Sequence, residues 1–376
     1  MREVVTTLET REIVTEGMVL NMGPQHPSTH GVLRLILTLD GEEVIECEPV
    51  IGYLHRGLEK FAERRPYAHF IPFTDRLDYL SALSCNLACA QAIERLAGIE
   101  VPERASYLRV ALMELNRIAS HLVFLGTFGA DIGATTVLLY AFREREMCLE
   151  LLEAITGARL TYNWVRVGGL PADMPDGWDV GVLEFCQHMT KRLEENDRLL
   201  SDNPIFRSRT EGLGVIPPEM GVAYGLSGPT LRGSGVAYDI RRFWPYEVYD
   251  QLEFDVVTED AGDVFARYRV RLREMVESVR ILRQVFERIP EGPIRSKTPK
   301  VLKPPAGEAY SLVESPRGEI SFYMVSDGSA NPVRCHIRAP SFCNLTILRD
   351  LVVGQKVADV VAILGSLDIV LGEVDR

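Results

Sequence analysis

Residues 102–157, PERASYLRVALMELNRIASHLVFLGTFGADIGATTVLLYAFREREMCLELLEAITG, decide the fold of this chain. Apolar side chains recur here every three to four residues, which is the period of an α-helix with a buried face. The pattern predicts helices at 102–126 and 131–156, and Gly157 supplies a C-terminal stop. Long helices that follow each other this closely predict a helical bundle.

The stretch 122–142 inside this block has about the length of a membrane span and is nearly uncharged. Asp131 lies at its middle among three glycines, and an RERE run follows at 143–146. Because an unpaired acid at mid-bilayer is costly, a helix buried inside protein is favoured over a span. A carboxylate in so apolar a stretch needs a charged or hydrogen-bonding partner, and a histidine is a natural candidate.

On the N-terminal side, residues 18–51 alternate apolar and polar side chains in the manner of strands. A Gly- and Pro-containing loop interrupts them at 23–31, and Asp40 followed by Gly41 is a hairpin signal. A further helix is predicted at 75–97. A small antiparallel sheet should therefore precede the bundle.

On the C-terminal side, the sequence predicts irregular segments, two more helices and a second group of strands. The helix at 263–288 carries an apolar stripe, with Arg and Glu expected outside. The stripe consists of Val264, Tyr268, Leu272, Met275, Val279, Leu282 and Phe286. The other predicted segments are irregular structure at 158–178, a helix at 180–200, a five-proline connector at 290–305, strands between 309 and 340, and an apolar helix with a short tail at 357–376.

The predicted fold class is α+β, a central long-helix bundle flanked by small antiparallel β-sheets. Residues 1–17 are interpreted as an N-terminal extension and residues 18–376 as a single domain. The domain divides into an N-terminal sheet (18–57), the helical bundle (58–201), a turn-rich region (202–262), the long helix (263–288) and C-terminal strands with a helix (306–376).

Composition excludes several classes of function. The 376 residues carry a formal net charge of −12 without a basic tract, which argues against a nucleic-acid partner. The charged start MREVVTTLETREIVTEG contains no apolar run and is typical of neither a signal peptide nor an anchor. Seven cysteines without a regular framework favour a reducing compartment, by default the cytoplasm.

Histidines and cysteines are the first candidates for chemistry. His26 and His30 lie in the loop GPQHPSTHG, which could present them to a ligand or could simply turn the chain. Two imidazoles without an adjacent carboxylate or thiolate are a weak metal set. Cys85 and Cys89 share a helix face, where buried core cysteines are favoured over a cluster or thiol pair. We therefore expect no metal or iron–sulfur cluster in this chain.

Residues 75–79, DRLDY, are better candidates for acid–base chemistry. They are predicted to begin a helix with acids in its first turn. The alternative is that Asp75 and Asp78 only cap the helix and form a surface ion pair. Neither a dinucleotide-binding glycine motif nor a P-loop is present, and a hydrolase elbow is also absent.

Several blocks of this sequence resemble the NuoD/NdhH-type quinone-site subunit of complex I and of the related photosynthetic NDH complexes. The resemblance runs in order from Met18 to Arg376. The blocks are MVLNMGPQHPSTHGVLRL, IGYLHRGLEK, DRLDYL, FREREM, LSGPTLRGSGVAYDIRR, VRCHIRAPSF and VADVVAILGSLDIVLGEVDR.

That family is similar in fold to the large subunit of nickel–iron hydrogenases, in which a C-x-x-C pair near each end of the chain holds the metals. The corresponding segments here, 52–57 and 368–376, contain no cysteine. The resemblance therefore implies a hydrogenase-like fold without a nickel–iron centre, in which the former metal cavity receives a quinone headgroup. The lack of these cysteines also excludes a working hydrogenase.

The resemblance also implies roles for single residues. His30 and Tyr79 match the family's quinone ligands, and both side chains can donate a hydrogen bond to a quinone carbonyl. Asp131 matches the partner of the histidine, and Thr127 matches a pocket-lining position. The two protons needed after two-electron reduction would come from His30 and Tyr79.

Arg56 and Arg76 match arginines near the terminal 4Fe–4S cluster, which a neighbouring small subunit holds. The implied activity is that of one subunit of a proton-pumping NAD(P)H- or ferredoxin-quinone oxidoreductase, with quinone as substrate. Its partners would be the iron–sulfur subunit, other peripheral-arm subunits and membrane-arm subunits. The chain would lie on the cytoplasmic side of the cell inner membrane or on a thylakoid membrane.

The alternative to a catalytic subunit is a structural scaffold between the electron-input module and the membrane arm. In that case the pocket would be degenerate. One departure from the family concerns the connector before residue 306, which is shorter than in many relatives. It puts a subunit contact in doubt but leaves the pocket motifs intact.

Overall fold

Two three-stranded antiparallel sheets flank the helices in the computed structural model, which describes residues 17–25 and 31–376. Each sheet follows the chain order of its strands, so neighbouring strands are joined without a crossover. The strands are β1 (Met18–Met22), β2 (Arg34–Asp40), β3 (Glu43–Val50), β4 (Gly307–Ser315), β5 (Gly318–Ser326) and β6 (Arg334–Arg338).

Helices form most of the remaining regular structure within the described ranges. They are α1 (Leu58–Ala62), α2 (Tyr67–Thr74), α3 (Ala82–Ala97), α4 (Glu103–Asp131), α5 (Thr135–Thr156), α6 (Trp178–Ser201), α7 (Pro204–Ser208), α8 (Pro218–Ala223), α9 (Gly228–Arg232), α10 (Ile240–Phe243), α11 (Val264–Arg288), α12 (Pro340–Thr346), α13 (Leu348–Val352), α14 (Val357–Leu367) and α15 (Leu371–Asp375). The predicted α+β class, long helices flanked by small antiparallel sheets, is confirmed.

The N-terminal sheet follows from its alternating sequence. Leu35, Leu37 and Leu39 on β2 are buried, while the residues between them are partly exposed. Gly41 adopts a left-handed φ of 61° in the turn between β2 and β3, which a residue without a Cβ reaches at little cost. The hairpin predicted at Asp40 is therefore present.

Helix α4 is the centre of the bundle. It packs against α5, α11 and α3, and at 29 residues it is about 44 Å long. Nearly all of its side chains are buried, as expected of a helix with neighbours on every side. Because of this length, its first turn lies far from its last turn, which carries Asp131.

Three predicted helix boundaries are wrong, and all three errors fall beside the candidate site. Helix α4 does not end at residue 126 but runs on to Asp131, and α5 begins at Thr135 and not at residue 131, after Gly133 with its φ of 97°. The helix predicted from residue 75 begins only at Ala82. Asp78 accepts hydrogen bonds from the backbone N–H groups of Leu80 and Ser81, each at 3.1 Å, and such local bonds compete with helix formation.

The charged face of α11 also differs from the prediction. Its apolar stripe is buried as expected, except that Phe286 is partly exposed, but Arg267, Arg271 and Glu274 are buried as well. They face α9 and the C-terminal helices, where Glu274 binds Arg232 at 2.5 Å and Arg271 lies 3.5 Å from Asp368. Arg and Glu on α11 are therefore not confined to the surface.

The end of the chain is not a tail, because residues 371–375 form the buried helix α15. Gly372 lies so close to residues 75–81, which we call the pocket turn, that an added Cβ would stand 2.6 Å from the Leu77 carbonyl oxygen and 2.9 Å from that of Arg76. Only glycine permits this approach. Within residues 17–25 and 31–376, none of the helices is both long enough and apolar enough to cross a membrane.

Replacing Gly372 by Ala should lower the free energy of unfolding by about 1–3 kcal/mol, because the new methyl group must push two backbone carbonyls aside. Urea unfolding of the purified chain measures the effect. Gly129→Ala is the matched control, since an added Cβ there makes ordinary contacts of 3.5 Å. Equal stability of Gly372→Ala and the wild type would show that the close approach is not enforced.

Candidate functional site

A cavity of about 290 Å³ opens where the end of α4, the pocket turn and the segment 368–370 meet. It brings Tyr79 together with Thr127 and Asp131, which were selected from the resemblance to the family. His30 lies outside the described residues. The full lining consists of Tyr79, Leu80, Val123, Thr127, Ala130, Asp131, Leu138, Arg317, Asp368, Ile369 and Val370.

Tyr79 belongs to the pocket turn and not to a helix, contrary to the prediction. Its side chain is partly buried, and burial raises the pKa of its phenol, with a further increase from the Asp78 carboxylate. A phenol with a raised pKa remains protonated at neutral pH. Tyr79 can therefore donate a hydrogen bond into the cavity.

Thr127 and Asp131 line the same wall because four residues separate them on α4, slightly more than one turn. The Thr127 hydroxyl donates to the Val123 carbonyl at 2.8 Å, so its oxygen is held in place. Asp131 is partly exposed at the last residue of the helix. The interpretation of Asp131 as a buried carboxylate is therefore corrected to a partly exposed carboxylate at a helix end that lines a cavity.

Arg317 is the cation of the cavity, and sequence reasoning missed it. It lies in the tight turn between β4 and β5 and is fully buried. Its guanidinium donates to Asp78 at 2.8 Å, to the Ser120 hydroxyl at 3.0 Å and to Asp368 at 3.3 Å. One side chain thus joins the pocket turn, α4 and the segment before α15.

Two glycines hold the Arg317 turn in position. A Cβ on Gly228 would stand 2.5 Å from the Arg317 carbonyl oxygen, and a Cβ on Gly318 would stand 2.5 Å from the Ser227 hydroxyl. Both glycines also adopt positive φ angles, 66° and 131°. The LSGPTLRG block therefore has a structural role, because its backbone packs against the turn that carries Arg317.

The acids of the pocket turn are buried, which corrects the alternative of a surface ion pair. Asp75 and Asp78 are both inaccessible to solvent. Burial raises the pKa of Asp75 to about 7. Burial also raises the pKa of Asp78, while the Arg317 charge opposes the increase.

Glu373 on α15 is a further buried acid near the cavity, and it too was missed. One of its oxygens accepts the Ser341 backbone N–H at 3.0 Å. Burial, reinforced by the nearby Asp78 carboxylate, raises the pKa of Glu373 to about 8. At neutral pH this side chain is mostly a neutral carboxylic acid.

Arg56 and Arg76 lie together on the outer side of the pocket turn. The Arg56 guanidinium donates to the Arg76 carbonyl at 3.1 Å and to the Gly372 carbonyl at 2.8 Å. Both side chains remain exposed to solvent in this chain. Two positive charges therefore stand on the surface just behind Tyr79.

The two segments that resemble the former metal-binding ends are in direct contact. The Asp375 carboxylate accepts the backbone N–H groups of Gly52 at 2.8 Å and of Leu54 at 2.7 Å. Beside them lies a second cavity of about 510 Å³, the outer cavity, whose lining includes His55, Glu59 and His336. The outer cavity is larger than the first, but it contains none of the predicted site residues.

Cys85 and Cys89 are buried in the core, as favoured by the sequence. In the part of the chain that the structure describes, no three His, Cys, Asp or Glu side chains are arranged to hold a metal ion.

Comparison with known proteins agrees with this architecture. The family model described as "Respiratory-chain NADH dehydrogenase, 49 Kd subunit" matches residues 131–305 and 300–376. The chain belongs to this family. The match includes Asp131 and the C-terminal segment that closes the cavity.

Curated relatives extend the likeness over nearly the whole chain. The D subunit of the NADH-quinone oxidoreductase of Geobacillus kaustophilus is 53% identical over 96% of this chain and 99% of its own length. Its counterpart in Dehalococcoides mccartyi is 54% identical over 97% of this chain and 100% of its own. The H subunit of the NAD(P)H-quinone oxidoreductase of Nostoc punctiforme is 50% identical over 99% of this chain and 100% of its own.

Because of Glu373, the free energy of unfolding should fall as pH rises. Its pKa rises from 4.5 to about 8 on folding, so the folded state keeps a proton that the unfolded state has lost. The contribution to stability is fully present below pH 4.5 and is lost as pH rises to about 8. Glu373→Gln cannot lose this contribution. The free energy of unfolding of the variant, relative to that of the wild type, should therefore increase from pH 4.5 to about 8.

Urea unfolding at several pH values measures the difference, with Glu150→Gln on the exposed side of α5 as the surface control. A difference between Glu373→Gln and wild type that stays constant from pH 4.5 to 8 would contradict the assignment of a buried neutral acid.

Proposed function

We propose that this chain forms the quinone reduction site of a complex I-type oxidoreductase, next to the terminal iron–sulfur cluster of a partner subunit. The observation that carries the proposal is the single cavity lined by Tyr79, Thr127 and Asp131. Tyr79 comes from one part of the chain and Thr127 and Asp131 from another, and each lies at a position that resembles the family's quinone pocket. The names of the curated relatives as quinone oxidoreductase subunits add support.

The cavity suits a quinone ring in size and polarity. Its volume of about 290 Å³ is near the lower end of the roughly 300–1,000 Å³ found for small-molecule pockets. Leu80, Val123, Leu138, Ile369 and Val370 supply apolar walls for the ring. The polar groups needed at the carbonyl oxygens come from the remaining lining residues.

Reduction places negative charge on the quinone oxygens, and two features of the cavity favour that charge. The buried Arg317 guanidinium is a fixed cation in a setting where charges are weakly screened. The Tyr79 phenol donates a hydrogen bond to one oxygen. Because its pKa is raised, the phenol gives up its proton only when reduction has made that oxygen strongly basic.

The second proton would come from His30, the other residue of the family pattern. The next residue along the chain, Gly31, lies beside Leu371, where an added Cβ would be 3.7 Å from the leucine side chain. Leu371 follows Val370, which lines the cavity. The course of the chain just after His30 is therefore compatible with this role.

Electrons would enter from the side of Arg56 and Arg76. Both arginines are exposed in the single chain, so a partner subunit can contact them. A positive charge close to an iron–sulfur cluster stabilises its reduced state and raises its potential. The quinone on the other side of the pocket turn would accept the electrons.

Coupling to ion pumping would begin at Asp131. In this hypothesis, His30 is charged before reduction and is stabilised by the Asp131 carboxylate. Loss of the histidine proton would weaken the attraction between the two side chains and would shift the loop that carries the histidine. That movement would be transmitted to membrane-arm subunits.

The chain would act as a peripheral subunit on the cytoplasmic side of the cell inner membrane or on a thylakoid membrane. Its partners would be the iron–sulfur subunit, other peripheral-arm subunits and the membrane arm. NADH or ferredoxin would deliver electrons through those other subunits. The short connector before residue 306 would affect one of these contacts and not the pocket.

Tyr79→Phe should lower the turnover of quinone reduction about a hundredfold in the assembled complex, because it removes the acid and keeps the ring. The Michaelis constant for quinone should change much less. Tyr323→Phe is the matched control, since that hydroxyl donates to Glu308 on the C-terminal sheet, away from the cavity. Wild-type turnover in Tyr79→Phe would remove the tyrosine from the mechanism.

Asp131→Asn should lower quinone reductase activity about tenfold while the complex still assembles, because the charge that stabilises the histidine is lost. Activity and subunit content of the purified complex are the two measurements. Asp255→Asn, an exposed acid paired with Arg280, serves as the control. If Asp131→Asn shows unchanged and fully coupled turnover, the proposed coupling step is wrong. The alternative, that the chain is a structural scaffold, is then favoured.

A further inference from the structure

Glu373 is a buried acid with one satisfied oxygen and one unsatisfied oxygen. It is inaccessible to solvent, and the Ser341 N–H satisfies only one side of the carboxyl group. The other oxygen is also buried and has no hydrogen-bond partner among the described residues. Such an oxygen strongly disfavours a negative charge, so a proton on this carboxyl group is favoured.

The ion pairs around Glu373 lead to the same conclusion. Arg317 contacts Asp78 and Asp368, and Arg271 lies 3.5 Å from Asp368. Glu373, in contrast, has no guanidinium contact among the described residues. A buried carboxyl group without a cation beside it retains its proton more readily than one that is paired.

This retained proton lies next to the pocket turn that carries Tyr79. Gly372, the residue before Glu373, approaches Tyr79 so closely that an added Cβ would be 3.5 Å from its ring. Asp78 precedes Tyr79 in the chain and is fixed by two backbone N–H groups and by Arg317. The charges of Asp78 and Glu373 both act on the Tyr79 phenol.

We propose that Glu373 is the internal proton store that recharges Tyr79 after quinone reduction. This inference rests on the proposed function. The substrate gains two electrons from the partner's iron–sulfur cluster, and the Tyr79 O–H bond breaks as its proton moves to a reduced quinone oxygen. The phenolate then receives the proton of the Glu373 carboxyl group, and solvent later returns a proton to Glu373.

The order of acidities makes the transfer favourable. The pKa of Glu373 is raised to about 8, whereas the pKa of Tyr79 is raised above its ordinary value near 10. A tyrosinate is therefore a stronger base than the Glu373 carboxylate. The proton therefore moves from Glu373 to Tyr79 each time the phenol has lost its own proton.

Other groups that face Glu373 do not compete for this role. They are Arg317, the Cys85 thiol on α3 and the Ser341 backbone on α12. Burial raises the pKa of Cys85 well above its ordinary value, so that thiol does not release a proton. Asp375, on the same helix, is occupied by two backbone N–H groups of the segment 52–54.

Glu373→Gln in the assembled complex tests the proposal through the pH profile of quinone reduction. The wild-type rate should fall as pH rises past about 8, where the store loses its proton. The variant has no carboxyl proton to donate, so its turnover should be about tenfold lower. Its pH profile should also lack this fall in rate at alkaline pH, which we call the alkaline limb. Its Michaelis constant for quinone should stay within about twofold, and Glu373→Asp should restore part of the rate and the limb.

A second measurement does not depend on activity or on assembly of the variant. The infrared spectrum of the purified full chain should contain a protonated-carboxyl band that disappears as pH rises through about 8. Glu373→Asp should shift the band, and Glu308→Gln on the exposed edge of β4 should leave it unchanged. Absence of such a band in the wild-type chain overturns the inference.

The two proposals fail in different ways. A wild-type pH profile in Glu373→Gln, with Tyr79→Phe still inactive, removes the proton store and leaves the quinone site in place. A complex that reduces quinone equally well with Tyr79→Phe removes the site itself, and the inference with it.

Discussion

The buried guanidinium of Arg317 is the constraint on which the candidate site depends. It binds the pocket turn through Asp78, α4 through Ser120 and the C-terminal segment through Asp368. These parts are remote in sequence, and one side chain joins all three. Desolvation offsets much of the Coulomb energy of a buried ion pair, so we infer that Arg317 contributes geometry more than stability. The same cation then lines the cavity where negative charge would develop.

Much of the fold could be predicted because its information is local. The helical period of residues 102–157 and the alternation in β2 each reflect one buried face, which a short window of sequence reveals. The grouping of Tyr79 with Thr127 and Asp131 came from the resemblance to a family, since Tyr79 lies far from the other two residues in the chain. The structure unites them in one cavity, while His30 lies outside the described residues.

The missed features share a physical cause. Arg317 and Asp78 are 239 residues apart, and neither residue carries a local sign that the other will neutralise it. Arg271 and Glu274 were therefore expected on the surface of α11, although their partners bury them. The pocket turn was mistaken for a helix because Asp78 bonds to the backbone locally, an outcome that helix propensity does not register. Polarity is visible in a sequence, but the partner that permits burial is not.

The most direct test of the account is the position of the quinone headgroup. A photoreactive quinone analogue, activated in the assembled complex and followed by peptide mass spectrometry, would identify the residues that touch the ring. The account predicts labelling of the pocket turn, of α4 between Val123 and Asp131, and of residues 368–370, with competition by unlabelled quinone. Labelling confined to the outer cavity, at residues 51–60 and 334–342, would contradict it.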